Sequence, residues 1–222
     1  MNGARGAVRG FTLVELLVVL AIIVILTAIV LTSQSTFNKT IVLANTAYDV
    51  ALTLRATETY GIGNRAVGST ANTGYGLDFQ KATPNSFTLF ADIYPPATSS
   101  TGLCHTPIGP PRGPGAVPGN CAYDANQNEK VTDYTLGNGI TVSNFCASSG
   151  STWLCASNGL LTSLDIVFAR PNPDPFVRVS IGGASPVPAT AACLTLSSSS
   201  GGSRFVSVTA AGEITTATSS CP

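Results

Sequence analysis

Hydrophobic positions first form one unbroken run and then fall into two successive periods. From Phe11 to Leu31 the chain reads FTLVELLVVLAIIVILTAIVL, with Thr12, Glu15 and Thr27 as the polar positions. A helix of that length covers about 31 Å, the hydrocarbon thickness of a bilayer, which predicts a transmembrane segment at 11–31. The stretch before it, MNGARGAVRG, has Arg5 and Arg9 as its charges. The positive-inside bias then places this leader in the cytoplasm and the C-terminal bulk outside. The run is longer than the core of a secretory signal peptide, and no small-residue cleavage site closes it.

Beyond Thr32 there is no Pro or Gly until Gly61, and Phe37, Ile41, Ala44, Tyr48, Ala51 and Leu52 or Leu54 recur at three- and four-residue spacing. That period predicts an amphipathic continuation, so that residues 11–62 form one helix of roughly 75 Å with Gly61 and Gly63 as its stop. Phe37, Ile41, Tyr48 and Leu52 are expected to dock on the chain's own sheet, with a partner-binding stripe as the rival reading. After Gly63 the period changes to two, in short runs bounded by Gly, Pro, Asn and Ser. Strands are predicted at 74–79, 86–94, 133–136, 140–145, 163–170, 176–181, 192–197, 205–209 and 213–216. The fold class is therefore α+β: a long N-terminal helix, half transmembrane and half amphipathic, packed on an antiparallel β-sheet head at 63–222. The Pro/Gly-rich loop 95–119 is too proline-rich to join a sheet and is expected on the surface.

Composition narrows the class. The chain of 222 residues is 44% hydrophobic and 10% charged, against a usual charged share of roughly 25%. Neither a disordered polyampholyte nor an ordinary cytosolic enzyme surface looks like this. Eleven Lys and Arg balance eleven Asp and Glu, so no global field holds a polyanion. Within the head, seven basic residues face eight acids, and Arg170, Arg178 and Arg204 are the candidates for a DNA-binding face.

Six cysteines in so uncharged a chain point to an oxidising compartment. Cys104, Cys121, Cys146, Cys155, Cys193 and Cys221 admit fifteen pairings, among which the sequence does not choose. Short spacing favours 104–121, 146–155 and 193–221. A zinc site is the rival, but there is no C-x₂-C pair and His105 is the single histidine. Asp124, Asn126, Asn128 and Asp133 place oxygen ligands in the manner of a calcium loop, although Glu129 stands where such a loop needs glycine. Calcium is the one cofactor this suggests. No nucleophile elbow and no phosphate loop occurs, so no enzymatic activity is expected.

The boundary RG-FTLVE carries a resemblance. A short basic leader ending in Gly10, then Phe11, an apolar run and Glu15 five residues into the mature chain resemble the prepilin signal of type IV pilins and pseudopilins. The resemblance implies cleavage between Gly10 and Phe11 by a membrane-embedded prepilin peptidase, removal of a 1–10 leader, and N-methylation of Phe11. It further implies that Glu15 pairs with the amine of a neighbouring subunit during assembly. The segments GYGLDF, NSFTLFAD, LDIVFARPNPDP and RFVSVTAAGEIT resemble the heads of H-type minor pseudopilins of type II secretion and related minor pilins. The expected protein is a pilin-like filament subunit, anchored in the inner membrane with its head outside. Its expected partners are the peptidase, other pilin or pseudopilin subunits and an assembly platform. A DNA-binding or other ligand-binding minor pilin at the cell surface is the alternative. Many major pilins carry a proline near the position of Thr32, and this chain does not. The Cys193–Cys221 pair would resemble the C-terminal disulfide of many pilins.

Overall fold

In a computed structural model, residues 10–63, 65–99, 104, 117–150, 152–199, 201–217 and 220–221 are described. Leader positions 1–9, His105, most of the loop 95–119 and the side chain of Phe37 lie outside that set. The first element is helix α1 (Leu13–Ile62), of 50 residues. The chain divides into two compact units, Met1–Ile41 and Val42–Pro222, each of which is taken by itself.

In the first unit, the helical stretch Leu13–Leu31 is long and apolar enough to cross a membrane, and none of it is buried. In the second, the helix is followed, among the described residues, by eleven strands: β1 (Gly74–Gln80), β2 (Ser86–Asp92), β3 (Lys130–Thr135), β4 (Ile140–Ser149), β5 (Thr152–Cys155), β6 (Leu161–Ala169), β7 (Asn172–Ile181), β8 (Val187–Ala189), β9 (Ala191–Ser198), β10 (Ser203–Val208) and β11 (Ile214–Ala217). The fold is α+β, as the patterning predicts. The strands form two sheets rather than the single one expected: a six-stranded sheet, β3-β2-β1-β6-β7-β8, and a five-stranded one, β11-β10-β9-β4-β5. Every pairing within them is antiparallel.

Both sheets and the helix share one core. Leu43, Ala47, Val50, Ala51 and Leu54 of α1 pack with Tyr75, Leu77, Phe79, Leu89, Ile166 and Phe168 of the first sheet, and with Phe145, Leu194, Leu196 and Val206 of the second. This corrects the expected helix face. Ile41, Tyr48 and Leu52 are 42%, 59% and 62% exposed, while the buried positions 43, 47, 50, 54 and 57 follow the same three- and four-residue spacing on the opposite side. Gly61 is also corrected: it lies inside the helix and does not end it. A Cβ there would fall 2.0 Å from the Phe168 carbonyl oxygen, so glycine is what lets the last turn lie directly on β6.

The outer face of the six-stranded sheet is covered, and beside a small apolar cluster of Phe90, Val167 and Cys121 it carries a row of charged residues. Asp78 on β1 stands opposite Asp165 on β6, which in turn stands opposite Arg178 on β7. The segment around 117–129 lies over this row and is fastened by two buried carboxylates. Asp92 accepts the amides of Asn120 (3.0 Å) and Cys121 (2.8 Å). Glu129 accepts those of Ile93 (3.0 Å), Tyr94 (2.9 Å) and Asp124 (2.7 Å). Burial pushes Asp78 up to about 6 and Glu129 up to about 8, in the latter case against the amides that hold it. Asp165, fully enclosed beside Asp78, is held well above the usual carboxylate range by the same desolvation and by its neighbour's charge.

Candidate processing and assembly site

The candidate site is the start of the apolar helix. Gly10, Phe11 and Thr12 precede the first helical residue, Leu13, and Gly10 has nothing within contact distance of where a Cβ would be. Thr12 then acts as the N-cap. Its hydroxyl accepts the Glu15 amide (3.2 Å), while the Glu15 carboxylate accepts both the amide and the hydroxyl of Thr12 at 2.9 Å. This is a reciprocal capping box, which satisfies orphan amides at a helix start. It explains how a carboxylate sits in an apolar segment without being left unpartnered. It also places the Glu15 oxygens one residue from the nitrogen of Phe11, the atom that a cut after Gly10 would free. Thr12 was not singled out from the sequence, although T-x-x-E before an apolar run is a recognisable signal.

The remaining predicted residues are scattered. Asp124 accepts the side-chain amide of Asn120 at 2.8 Å, whereas Asp133 on β3 holds Lys130 Nζ (2.9 Å) and the Thr88 hydroxyl (2.8 Å). Asn126 and Asn128 lie in the exposed turn between them. Among the described residues, the group of acid and thiol ligands close enough to share an ion is Asp92, Cys104 and Cys121. Its two sulfurs are joined to each other. The other disulfides are Cys146–Cys155 and Cys193–Cys221. Arg170 donates to Asn72, and burial lowers the pKa of Arg178 on β7, against the charges of Asp92 and Asp165, which raise it. Arg204 belongs to β10, on the other sheet, and donates to the Ser203 carbonyl.

Residues 5–31 match the family model of the prokaryotic N-terminal methylation motif. The comparison with curated proteins returns no match, and neither does that with solved structures. The motif supports a type IV pilin-like precursor, and a structural subunit in preference to an enzyme. It implies processing by a prepilin peptidase and assembly with other pilins, and together with the exposed apolar helix it fits a membrane-anchored pilin.

Proposed function

We propose that the chain is a minor pilin or pseudopilin of a type IV pilus or type II secretion-like filament. On this reading it is cut between Gly10 and Phe11, held in the inner membrane by residues 11–31, and displays its head outside. The observation that carries the reading is the capping box: Thr12 and Glu15 present a carboxylate at the predicted cut, at the head of an apolar span that is exposed throughout. In the membrane the box satisfies Glu15 internally. In a filament the same carboxylate would exchange Thr12 for the methylated amine of a neighbouring Phe11, which favours one helix register over others.

The outward face of the helix in the head supports an assembly role. Tyr48 and Leu52 lie exposed on the side away from the core, and a neighbouring subunit is the partner that would cover them. The test is intact mass and N-terminal sequencing of the membrane-extracted chain, co-expressed with a prepilin peptidase. A chain beginning at N-methyl-Phe11 is the expected result. A chain retaining Gly10 under those conditions would overturn the reading.

A further inference from the structure

Two disulfides lie side by side on the outer face of the five-stranded sheet. Cys146 on β4 stands directly opposite Cys155 on β5, its disulfide partner, with 4.0 Å between Cα atoms. On its other side the same Cys146 stands directly opposite Cys193 on β9, which is bonded instead to Cys221 of the C-terminal tail. Directly opposed residues of antiparallel strands point to one face, with Cα atoms about 4.5–5.5 Å apart, inside the range a disulfide spans. The sulfurs of Cys155, Cys146 and Cys193 therefore follow one another in a row across three strands. Cys146 thus has two partners in reach and is bonded to one of them.

The surroundings suit exchange along that row. Cys146 and Cys193 are buried, whereas Cys155, on the edge strand, and Cys221 are partly exposed. The Asn144 side-chain amide donates to Cys146 Sγ at 3.5 Å, and the Thr195 hydroxyl lies 3.6 Å from Cys221 Sγ. Two of the sulfurs that carry negative charge during an exchange, Cys146 and Cys221, thus already have a donor beside them. A groove of about 260 Å³, lined by Trp153, Ala191, Cys193, Phe205, Ser207 and Ser220, opens onto the same face.

We propose that the two disulfides form a thiol–disulfide relay that hands reduction from the sheet edge to the C-terminal tail. A dithiol reductant attacks Cys155 Sγ: a mixed disulfide forms with Cys155, the Cys146–Cys155 bond breaks, and its electron pair leaves on Cys146 as thiolate. Cys146 then attacks Cys193 Sγ, forming Cys146–Cys193. The Cys193–Cys221 bond breaks, and Cys221 leaves as a thiolate that takes a proton from water. The second thiol of the reductant resolves the mixed disulfide and frees Cys155. The dithiol has been oxidised to a disulfide and two electrons have entered the protein. The sheet keeps a cross-strand bond, now between β4 and β9, while the tail carries a free thiol available to another chain. The attacking group is the thiolate, so the relay runs faster as pH rises toward the thiol pKa.

The test uses the full chain in detergent micelles, with native alkylation, acid quench and peptide mapping. In Cys155→Ser the unpaired sulfur starts at Cys146, and the relay moves the label to Cys221 with Cys146 bonded to Cys193. In Cys146→Ser the unpaired sulfur is at Cys155, which does not face Cys193, and the Cys193–Cys221 bond stays. Wild-type protein given one equivalent of dithiothreitol provides a readout independent of either variant's folding. Cys155 and Cys221 labelled together support the relay. Cys146 and Cys155 labelled together, or label retained at Cys146 in Cys155→Ser, overturn it.

Discussion

Gly61→Ala is a substitution whose sign depends on the packing described above. At a solvent-facing helix position it is expected to stabilise by about 1 kcal/mol, because alanine loses less backbone freedom on folding and has the highest helix propensity. In this chain the new Cβ would fall 2.0 Å from the Phe168 carbonyl oxygen and 3.2 Å from the Phe168 Cβ. Real Cβ contacts do not fall below 3.0 Å, so the last turn of α1 has to retreat from β6 by about 1 Å in an interior with no free space. Leu54 and Thr57, both fully buried on the same face, lose part of their contact when it does. Overpacking of this kind costs about 1–3 kcal/mol, occasionally more, and backbone is the obstacle here, so the upper end applies and the net loss is about 2 kcal/mol. With a urea slope of about 2 kcal/mol/M, the midpoint falls by about 1 M. Trp153, the single tryptophan, reports the transition by fluorescence in detergent-solubilised full-length protein. Gly137→Ala is the control: it has open space around its Cβ and no left-handed backbone, and is expected to leave the midpoint in place or raise it slightly. A Gly61→Ala midpoint at or above wild type would refute the close approach of α1 to β6.

Two further predictions follow from the burial pattern. Leu54→Ala opens a cavity at a fully buried position and is expected to cost about 2–5 kcal/mol. Leu52→Ala, two residues away but 62% exposed, is expected to change head stability by less than about 0.5 kcal/mol while weakening filament assembly; equal losses in the two urea titrations would reverse the assignment of faces. The carboxylates under the 117–129 segment predict a pH dependence of definite sign. Glu129 moves from 4.5 unfolded to about 8 folded, and Asp78 from 3.8 to about 6. Folding therefore takes up protons. The stability this contributes is full below pH about 4 and is lost as pH rises through 6 and then 8, on the order of a few kcal/mol in all. Urea midpoints measured at pH 5 and pH 8.5 should fall with pH, and a rise would show that the amides holding Glu129 outweigh its desolvation.

The sequence carried the element types further than their arrangement. Strand positions are most readable where residues alternate, as in β1, with Tyr75, Leu77 and Phe79 in the shared core and Gly76 and Asp78 on the other side. β5 is not legible because TWLC has no alternation of polar and apolar residues, nor is β8, because Val187–Ala189 contains Pro188, which reads as a breaker and is tolerated at a sheet edge. The division into two sheets was not local information: β6 pairs with β1 across more than eighty residues of intervening chain, and no period in the sequence encodes that choice. The helix face was misread for a physical reason. Residues 41, 48 and 52 and residues 43, 47, 50 and 54 both satisfy helical spacing, and large side chains on the first set drew the assignment. Leu43, Ala47, Val50 and Leu54 are the side turned to the sheets, and Gly61 on that side lets backbone approach backbone. At the candidate site, Gly10, Phe11 and Glu15 were legible from spacing alone, whereas the role of Thr12 required asking where the first helical amides find their partners.

Glu15 stands at the head of one of the apolar surfaces that the described residues leave open. A side chain that gained a partner only on assembly would be a burden on the membrane-held monomer, since an unpartnered carboxylate in hydrocarbon is costly. The capping box removes that burden, because Thr12 already occupies the carboxylate. On the proposed reading, assembly therefore replaces one set of hydrogen bonds by another and gains little net energy from the exchange, in keeping with the small balance expected of desolvated ion pairs. The driving force must come from elsewhere. Among the described residues, the exposed segment Leu13–Leu31 in one unit, and Tyr48 and Leu52 on the outward helix face in the other, are apolar surfaces that can supply it. Lipid covers the first as well as a neighbour does, so close packing decides there, whereas water covers the second and burial itself is favourable. Glu15 is then expected to select the register in which these surfaces meet, and the outward face of the head to supply much of the affinity.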